Sequence, residues 1–338
     1  MTSAGSFTPG YSSGVTQPVD RIISLLPSLT EITCALGLRG RLVGRSHECN
    51  HPPGLDALPV CTEPKFEPTG SSAQIDGRVK MLVRDGLSVY RVDPERLRAL
   101  APDVILTQDH CEVCAASLSD VEEALAEWTG ASPRVVSVSP ACLADVWRSM
   151  GHIAEALGAS EQGQRLVANL TSRLTGIGEQ TGAASFRPPG EASPRPPGEA
   201  SPRPRLGCIE WIEPLMSAGN WVPELAAIAG GEVCFGTAGE HSPWLDWEAF
   251  RAADPDVVAI MPCGFDLARC REELPLLEGL PGWSELTAVK QGRAFLADGN
   301  QYFNRPGPRL VESAEILSEM LHPDRCDFGH RGVAFEAV

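Results

Sequence analysis

Residues 92–111, VDPERLRALAPDVILTQDHC, and residues 245–264, LDWEAFRAADPDVVAIMPCG, carry one pattern twice in the same chain. Aligned without a gap, the two stretches are identical at seven of twenty positions. In each, an acid in the N-cap position begins a short amphipathic helix, a Pro-Asp turn ends it, and an apolar run follows as a buried strand. Such units are common in α/β proteins, so chance similarity is the alternative interpretation. A genuine repeat predicts two similar lobes with a ligand between them.

The composition is that of a folded protein, and its charge argues against several classes of partner. A chain of 338 residues allows about two domains. With 43% hydrophobic residues it can form proper cores. The formal net charge of −16 argues against nucleic acid and anionic membrane surfaces, because both attract basic proteins. No apolar run approaches the roughly 20 residues of a membrane-spanning helix. We therefore expect no nucleic-acid partner and no membrane insertion.

The N-terminal residues and the cysteines predict a cytoplasmic protein. Residues 1–20 are polar and rich in Gly, Ser and Pro, without the apolar core of a secretory signal, which predicts a disordered leader. The eleven cysteines are odd in number and spread over the chain, unlike a disulfide framework. Reduced thiols are typical of the cytosol. We expect a periplasmic location only if the start of the chain is misassigned.

Composition and periodicity also predict how the chain is divided. The octapeptide RPPGEASP occurs twice within residues 183–205, and such a proline-rich segment can continue neither a helix nor a sheet. On either side of it strands alternate with helices, which predicts parallel sheets in two Rossmann-like α/β lobes. The predicted divisions are a disordered leader at 1–20, an N-terminal lobe at 21–145, an interlobe helix region at 146–182, a linker at 183–205, a C-terminal lobe at 206–322 and a tail at 323–338.

Individual elements follow from the apolar periodicity. Ser28 and Glu31 have the spacing of a capping box, so the first strand should lead directly into a helix. Residues 142–180 should be largely helical, with weak points at Gly151 and Gly158. Predicted strands lie at 21–26, 41–45, 88–91, 103–107, 134–138, 205–210, 256–261 and 293–297. Predicted helices lie at 29–37, 72–85, 94–100, 117–128, 160–180, 221–229, 247–253, 266–279 and 308–320.

The loops after the strands are the predicted ligand-binding residues, because ligands of parallel sheets collect at the carboxyl ends of the strands. In the second lobe these loops are rich in large aromatic side chains, which predicts a wall for a flat ligand; the alternative is that the aromatic residues pack the core of the lobe. The first-lobe candidates are Pro27, Ser28, Ser46, His47, Glu48, Gln108, Asp109 and His110. The second-lobe candidates are Glu210, Trp211, Asn220, Trp221, Cys263, Gly264, Phe265, Tyr302 and Phe303.

The stretch RIISLLPSLTEITCALGLRGRLVGRSHECNHPP at 21–53 resembles the opening of the helical-backbone solute-binding proteins that serve cobalamin and ferric-siderophore ABC transporters. Within that family the chain most resembles the cobalamin-binding branch, over residues 20–322. The resemblance implies two lobes that close only slightly on a ligand, with the 160–180 helix as connector. The octapeptide segment has no counterpart in the family pattern. Further marks of the resemblance are Ser72–Asp76, Pro102–Gln108, Glu210 with Trp211, Pro255–Asp266 and Tyr302–Pro306.

The resemblance implies a non-catalytic protein that binds a cobalamin-like corrinoid in the cleft and requires no resident cofactor. Its expected partners are a corrinoid or other tetrapyrrole and, if it serves transport, an ABC transporter permease; a monomer is expected. Transport members of the family are secreted or lipid-anchored, whereas this chain shows neither a signal nor a lipobox cysteine. Intracellular corrinoid handling is therefore the favoured version. The alternatives are a haem or ferric-siderophore binding protein and a thiol-dependent tetrapyrrole or redox enzyme.

Two clusters are candidates for metal or redox chemistry. Cys111 and Cys114 follow a predicted strand and enter a predicted helix, where thiol pKa values are lowered, but a single CxxC is half of a structural zinc site. The alternative interpretation is that Cys111 and Cys114 are small buried residues at a tight turn. His47 and His51 share one loop of the cleft, where His47 could coordinate cobalt or haem iron axially or make ordinary loop hydrogen bonds. His241 is a further candidate from the second lobe.

Overall fold

The computed structural model describes residues 19–84, 88–109, 118–126, 132–183 and 203–338. The predicted disordered leader, apart from its last two residues, and most of the proline-rich linker lie outside these ranges. So do three candidate site residues, His110, Cys111 and Cys114.

The first lobe is built on a four-stranded parallel sheet in the order β2-β1-β5-β6. Its central strand β5 is buried at every residue, as expected for a parallel sheet covered on both faces. The strands of this lobe are β1 (Ile22–Ser24), β2 (Leu42–Arg45), β3 (Thr62–Pro64), β4 (Tyr90–Val92), β5 (Val104–Gln108) and β6 (Arg134–Val138). Its helices are α1 (Pro27–Ala35), α2 (Ser72–Arg84), α3 (Pro94–Leu100), α4 (Leu118–Leu125) and α5 (Leu143–Ala156).

One predicted strand belongs elsewhere. The strand expected at 88–91 as part of the parallel sheet is instead β4, which pairs antiparallel with β3 in a separate two-stranded sheet. The outer edge of β2 is occupied by residues 59–61, which hydrogen-bond to Arg45 and lead into β3, so β4 pairs with β3. The helix α2 lies between these two strands in the chain, and its N-terminus contacts the second lobe.

The second lobe carries a five-stranded sheet in the order β11-β10-β9-β7-β8, parallel except for its last strand. Residues 323–338, expected to be a tail, contribute β11, which pairs antiparallel with β10. The strands are β7 (Arg205–Ile209), β8 (Glu232–Val233), β9 (Val257–Ile260), β10 (Ala294–Ala297) and β11 (Phe335–Ala337). The helices after the interlobe helix are α7 (Val222–Ile228), α8 (Trp247–Ala253), α9 (Leu267–Glu278), α10 (Thr287–Lys290) and α11 (Leu310–Leu321).

The duplicated sequence unit occupies the same place in both lobes. Strands β5 and β9 each lie beside the first strand of their sheet, β1 and β7 respectively. In each copy the Asp of the Pro-Asp turn uses its carboxylate to accept a backbone N–H at the start of that neighbouring strand. Asp103 accepts from Arg21 (2.9 Å), and Asp256 accepts from Arg205 (2.7 Å). The repeated Asp thus fastens two adjacent strands to each other in both lobes.

A long helix, α6 (Ser160–Thr181), joins the lobes: the sequence predicted a helix at 160–180, and the family resemblance implied that it is the connector. It packs against α5 of the first lobe and against α7 and α11 of the second. Of the two weak points, only Gly158 interrupts the helical region, with φ of +70°, a conformation that glycine adopts without steric cost. Gly151 lies inside α5. One apolar core runs through α6 and both lobes.

The end of the repeated helix offers a stability test. Ala101 terminates α3 in the left-handed region, with φ of 41°, which is unfavourable for a residue that carries a Cβ. We expect Ala101→Gly to raise the free energy of unfolding by about 0.5–1 kcal/mol, because glycine has no such penalty there. The midpoint of urea unfolding measures this effect. Ala99→Gly, inside the same helix, should change stability in the opposite direction.

Candidate ligand-binding cleft

The carboxyl ends of the parallel strands bring the predicted loops of each lobe to the space between the lobes. On the first-lobe side lie the ends of β1, β2 and β5; on the second-lobe side lie the ends of β7, β9 and β10. Among the described residues, the contacts between the lobes at this edge include a buried ion-pair network and a helix N-terminus. Both of these contacts join residues more than 200 positions apart.

The buried network is centred on Arg305, which follows β10. Its Nη1 donates to Glu31 Oε1 (3.0 Å) and to Asn50 Oδ1 (2.9 Å), both in the first lobe. Its Nη2 donates to Asn300 Oδ1 (2.6 Å) in its own lobe. Arg305 is 7% exposed and Glu31 is 4% exposed. The guanidinium is therefore a bridge between the lobes inside the cleft.

Glu31 has a different role from the one predicted. The capping-box interpretation is wrong, because α1 begins at Pro27 after Leu26, and no side chain caps its N-terminus. Glu31 lies further along α1 and points to the second lobe. Burial raises the pKa of its carboxyl group, while the charges of Arg305 and Arg309 oppose that rise. Only one of its oxygens is used: among the described residues Oε2 is buried and has no hydrogen-bond partner.

Gln108 has a second unpaired acceptor on the same side of the cleft. It is the last residue of β5 and is 4% exposed. Its Oε1 is buried and has no hydrogen-bond partner within the part of the chain that the structure describes. Gln108 lies two residues beyond the point where β5 pairs with β1, so it flanks the start of α1. The candidates Pro27 and Ser28 are buried in the first turn of that helix, and Asp109, after Gln108, is exposed.

The loop after β2 presents a small polar cluster. Thr62 Oγ1 donates to Ser46 Oγ (3.1 Å) and accepts from the backbone N–H of His47 (3.2 Å). The Nδ1 atom of His47 lies 2.8 Å from the same hydroxyl. Burial and the nearby Arg45 lower the pKa of His47. Tyr90 donates to Glu48 Oε1 (3.2 Å), and its ring lies 5.4 Å from that of His47.

His51 and His241 differ in their surroundings. Burial, together with the charges of Arg309 and Arg305, lowers the pKa of His51 to about 4. The imidazole is therefore neutral near these two guanidinium groups. His241 Nδ1 lies 3.0 Å from the carbonyl oxygen of Ser242, an ordinary loop contact. Within the described residues no group of three or more His, Cys, Asp or Glu side chains could hold a metal ion by itself.

On the second-lobe side, Trp211 and Phe265 lie together, with ring centroids 5.2 Å apart. Arg269 lies 4.8 Å from the centroid of the Phe265 ring. Glu210 is buried and accepts from Ser242 (2.9 Å), and its carbonyl accepts the N–H of Cys263 (3.1 Å). These contacts place the loops after β7 and β9 side by side, with Gly264 exposed at the turn.

The predicted aromatic wall is only partly present. Trp221 and Phe303 are 4% and 1% exposed and belong to the core of the second lobe. Trp221 Nε1 donates to the carbonyl of Phe303 (2.6 Å), so these two residues fasten α7 to the loop after β10. Tyr302 is half-buried, and the guanidinium carbon of Arg309 lies 4.3 Å from the centroid of its ring. Asn220 makes a backbone turn with φ of 52°. Trp221 and Phe303 thus follow the alternative interpretation, in which the aromatic residues pack the core of the lobe.

The second interlobe contact is at the N-terminus of α2. The backbone N–H and Oγ of Ser72 donate to the two carboxylate oxygens of Glu273 on α9, at 3.1 and 2.7 Å. Arg269 donates to Glu273 (2.6 Å) and to the carbonyl of Gly70. Lys80, further along α2, lies 4.7 Å from the ring centroid of Trp244. A helix of the first lobe is thus capped by a carboxylate of the second.

Two cavities open on the first lobe. The larger, of about 790 Å³, is bounded by the loop after β2, by strands β3 and β4 and by the start of α3. His47 and Thr62 line it. The smaller, of about 310 Å³, lies between β6 and α5 and is lined by Ser137, Arg148 and His152. His47 is the candidate site residue that lines the larger cavity.

Comparisons with known proteins agree with this architecture. A family model described as periplasmic binding protein matches residues 22–300. An uncharacterized ABC transporter substrate-binding lipoprotein of Bacillus subtilis is 26% identical over 307 residues, 90% of this chain and 80% of that protein. A periplasmic heme-binding protein of Pseudomonas aeruginosa has a TM-score of 0.65 at 20% identity, covering 91% of this chain and 94% of that one. The periplasmic vitamin B12-binding protein of Vibrio cholerae has a TM-score of 0.60 at 17% identity, covering 90% and 96%.

These comparisons confirm the two-lobed helical-backbone fold and correct the predicted location. The expectation of a cytoplasmic protein is wrong, because the matching family is periplasmic and the Bacillus relative is a lipoprotein. The number of cysteines was a poor guide to the compartment, because buried thiols behave as small apolar side chains in any compartment. The buried cysteines among the described residues are Cys49, Cys61, Cys208, Cys270 and Cys326. In the described residues no helix is long and apolar enough to cross a membrane. The chain belongs to the periplasmic binding protein family.

Proposed function

We propose that this protein is the substrate-binding component of an ABC transporter and that its ligand is a cobalamin-like corrinoid held in the interlobe cleft. The transport role is supported by the family and by the Bacillus relative, whose name assigns it to an ABC transporter. A permease is the corresponding protein partner, met outside the cytoplasmic membrane. The protein binds and releases its ligand without chemical change.

The choice of ligand rests on two acceptors that have no hydrogen-bond partner among the described residues, Gln108 Oε1 and Glu31 Oε2. Leaving a buried acceptor without a hydrogen bond costs about 1–3 kcal/mol, so each favours a ligand that donates N–H or O–H. The rim of a corrinoid carries carboxamide groups, which donate. Haem carries propionates instead. When ionised, these groups accept hydrogen bonds but cannot donate them, and the Glu31 carboxylate would repel them. Arg305 is already paired with Glu31 and does not reverse this preference.

Titration with corrinoids and haem tests the proposal. We expect purified protein to bind cyanocobalamin saturably and to bind haem more weakly. Gln108→Ala should weaken cyanocobalamin binding by about tenfold, because one buried hydrogen bond is lost. Gln291→Ala, an exposed amide on the second lobe, is the matched control and should leave binding unchanged.

Three outcomes would contradict the proposal. Uptake of haem or a ferric siderophore without any corrinoid binding would reject the ligand while leaving the fold intact. Equal binding by the Gln108 and Gln291 variants would reject the role of the unpaired acceptor. Loss of binding in a Cys111→Ser/Cys114→Ser variant, or chemical change of the bound ligand, would favour a thiol-dependent enzyme.

A further inference from the structure

The two lobes share an apolar core on one face of their sheets and have separate cores on the other face. Neighbouring strand residues divide between these cores. Ile22 and Val257 belong to the shared core that includes α6, whereas Ile23 belongs to a cluster of the first lobe and Val258 to a cluster of the second. Successive strand residues point to opposite faces of a sheet, so the two separate clusters lie on the faces away from α6. Since α6 joins the lobes, they can part most readily on that side.

The helix α2 contacts both of the separate clusters. Val79 packs against the first-lobe cluster, and Ile75, one turn earlier, packs against the second-lobe cluster. The second-lobe cluster includes Phe265, and Trp211 packs against it as well. These two aromatic residues lie at the carboxyl ends of β9 and β7. The helix therefore bridges the lobes on the side away from α6, beside loops that carry candidate ligand contacts.

Polar contacts attach α2 to the second lobe at two points along its length. At its N-terminus, the backbone N–H and Oγ of Ser72 donate to Glu273, at 3.1 and 2.7 Å. About two turns later, the ammonium group of Lys80 lies 4.7 Å from the ring centroid of Trp244. Ser72 is the one fully buried residue among the thirteen of α2. A helix with so little buried surface can leave its neighbour without unfolding the lobes.

From this arrangement we infer that α2 is a latch that closes the interlobe cleft on the side opposite α6 and must leave the second lobe before a ligand can enter or depart. The inference rests on the proposed function, which assigns the ligand to the cleft, and names the element that controls its exchange. Release breaks the Ser72–Glu273 and Lys80–Trp244 contacts, while Val79 keeps the helix on the first lobe.

Hydrogen exchange of the Ser72 amide measures the release of α2 without any ligand. As the first residue of α2, Ser72 has no acceptor within its own helix, and its N–H donates to Glu273. We expect this amide to exchange at least about tenfold faster than the amides of β5 and β9, because undocking of α2 leaves both sheets intact. Trp244→Leu removes the contact with Lys80 and should accelerate the exchange of Ser72 by about two- to fivefold. Val333→Ala, which changes an exposed apolar side chain elsewhere on the second lobe, is the control and should not accelerate it.

Stopped-flow measurements with cyanocobalamin test whether the latch controls the exchange of ligand. Trp244→Leu should raise both the association and the dissociation rate constants by about two- to fivefold, because α2 is released more often. The dissociation constant, which is the ratio of the two, should change less than either of them. Val333→Ala should bind and release cyanocobalamin at the rates of the unmodified protein.

Two results would overturn the inference. One is exchange of the Ser72 amide at the rate of the β5 and β9 amides, or at a rate that Trp244→Leu leaves unchanged. The other is binding of cyanocobalamin with the same rate constants in Trp244→Leu and in the unmodified protein, a result that leaves the proposed function standing. If Ser72 exchanges as expected but no corrinoid binds, the latch stands and the proposed ligand is rejected.

Discussion

Arg305→Met is expected to lower the free energy of unfolding at neutral pH by about 3–5 kcal/mol, because it leaves the buried Glu31 carboxylate without its partner. The 3.0 Å ion pair lies between two side chains that are almost inaccessible to water, and Asn50 and Asn300 lose their donor as well. Since burial raises the pKa of Glu31 in the folded chain, protonation favours the folded state. Without the charge of Arg305, which opposes that rise, the pKa of Glu31 should be higher still in the variant, so the loss should shrink as the pH falls below the pKa of Glu31 in the variant. Urea unfolding at several pH values measures both effects.

Two control variants test the cause of that loss. Arg251 makes an exposed ion pair with Glu248 at 2.7 Å, and Arg251→Met should cost less than about 1 kcal/mol because water screens that pair. The double variant Glu31→Met/Arg305→Met removes both charges and should recover most of the stability lost in Arg305→Met. Equal losses from Arg251→Met and Arg305→Met would show that the interlobe network contributes no more than a surface ion pair.

Glu273→Ala is expected to cost about 2–4 kcal/mol, because it leaves the amide and hydroxyl of Ser72 buried without acceptors. Ser72 is fully buried and Glu273 is 3% exposed, so water cannot replace the lost hydrogen bonds. The loss should also be local: α2 is held to the second lobe by this carboxylate, by Arg269 and by the Lys80–Trp244 contact. Hydrogen exchange should accelerate in α2 before it does in the two main sheets.

The adjacent Glu272 is the matched control for Glu273. It also accepts from Arg269, at 2.6 Å, but its side chain is 68% exposed. We expect Glu272→Ala to change the stability by no more than about 0.5 kcal/mol and to leave exchange in α2 unchanged. Equal acceleration of exchange in both variants would contradict the assignment of Glu273 as the cap of α2.

Much of the scaffold could be predicted from local sequence because its signals are local. The acid at Asp93 and Asp246 caps its helix in both copies, accepting from Arg96 and Ala249 as an N-cap residue should. The apolar runs that follow become the buried strands β5 and β9. Helix periodicity likewise predicted α6 to within two residues at either end. Capping, periodicity and burial act over a few neighbouring residues, so they are visible in the sequence.

The site was harder to predict, since its interactions join distant residues. Glu31 has the spacing of a capping residue, and only the position of Arg305, 274 residues later, makes it half of an interlobe ion pair. Trp221 and Phe303 looked like ligand contacts because they follow strands, but they bury each other. Glu31 and Arg305 both lie within motifs that carry the family resemblance. Membership of these motifs was the one sequence signal that pointed to the two residues.

The sequence by itself determined the two α/β lobes, their repeated helix–strand unit and the helix that joins them, because hydrophobic periodicity and helix caps specify these within short segments. Only the tertiary structure decided which polar groups meet across the cleft and which remain unpaired. Burial removes water as a partner, so the role of a carboxylate or imidazole depends on which atoms surround it in the fold. Within the described part of the chain, the unpaired oxygens of Glu31 and Gln108 are of this kind.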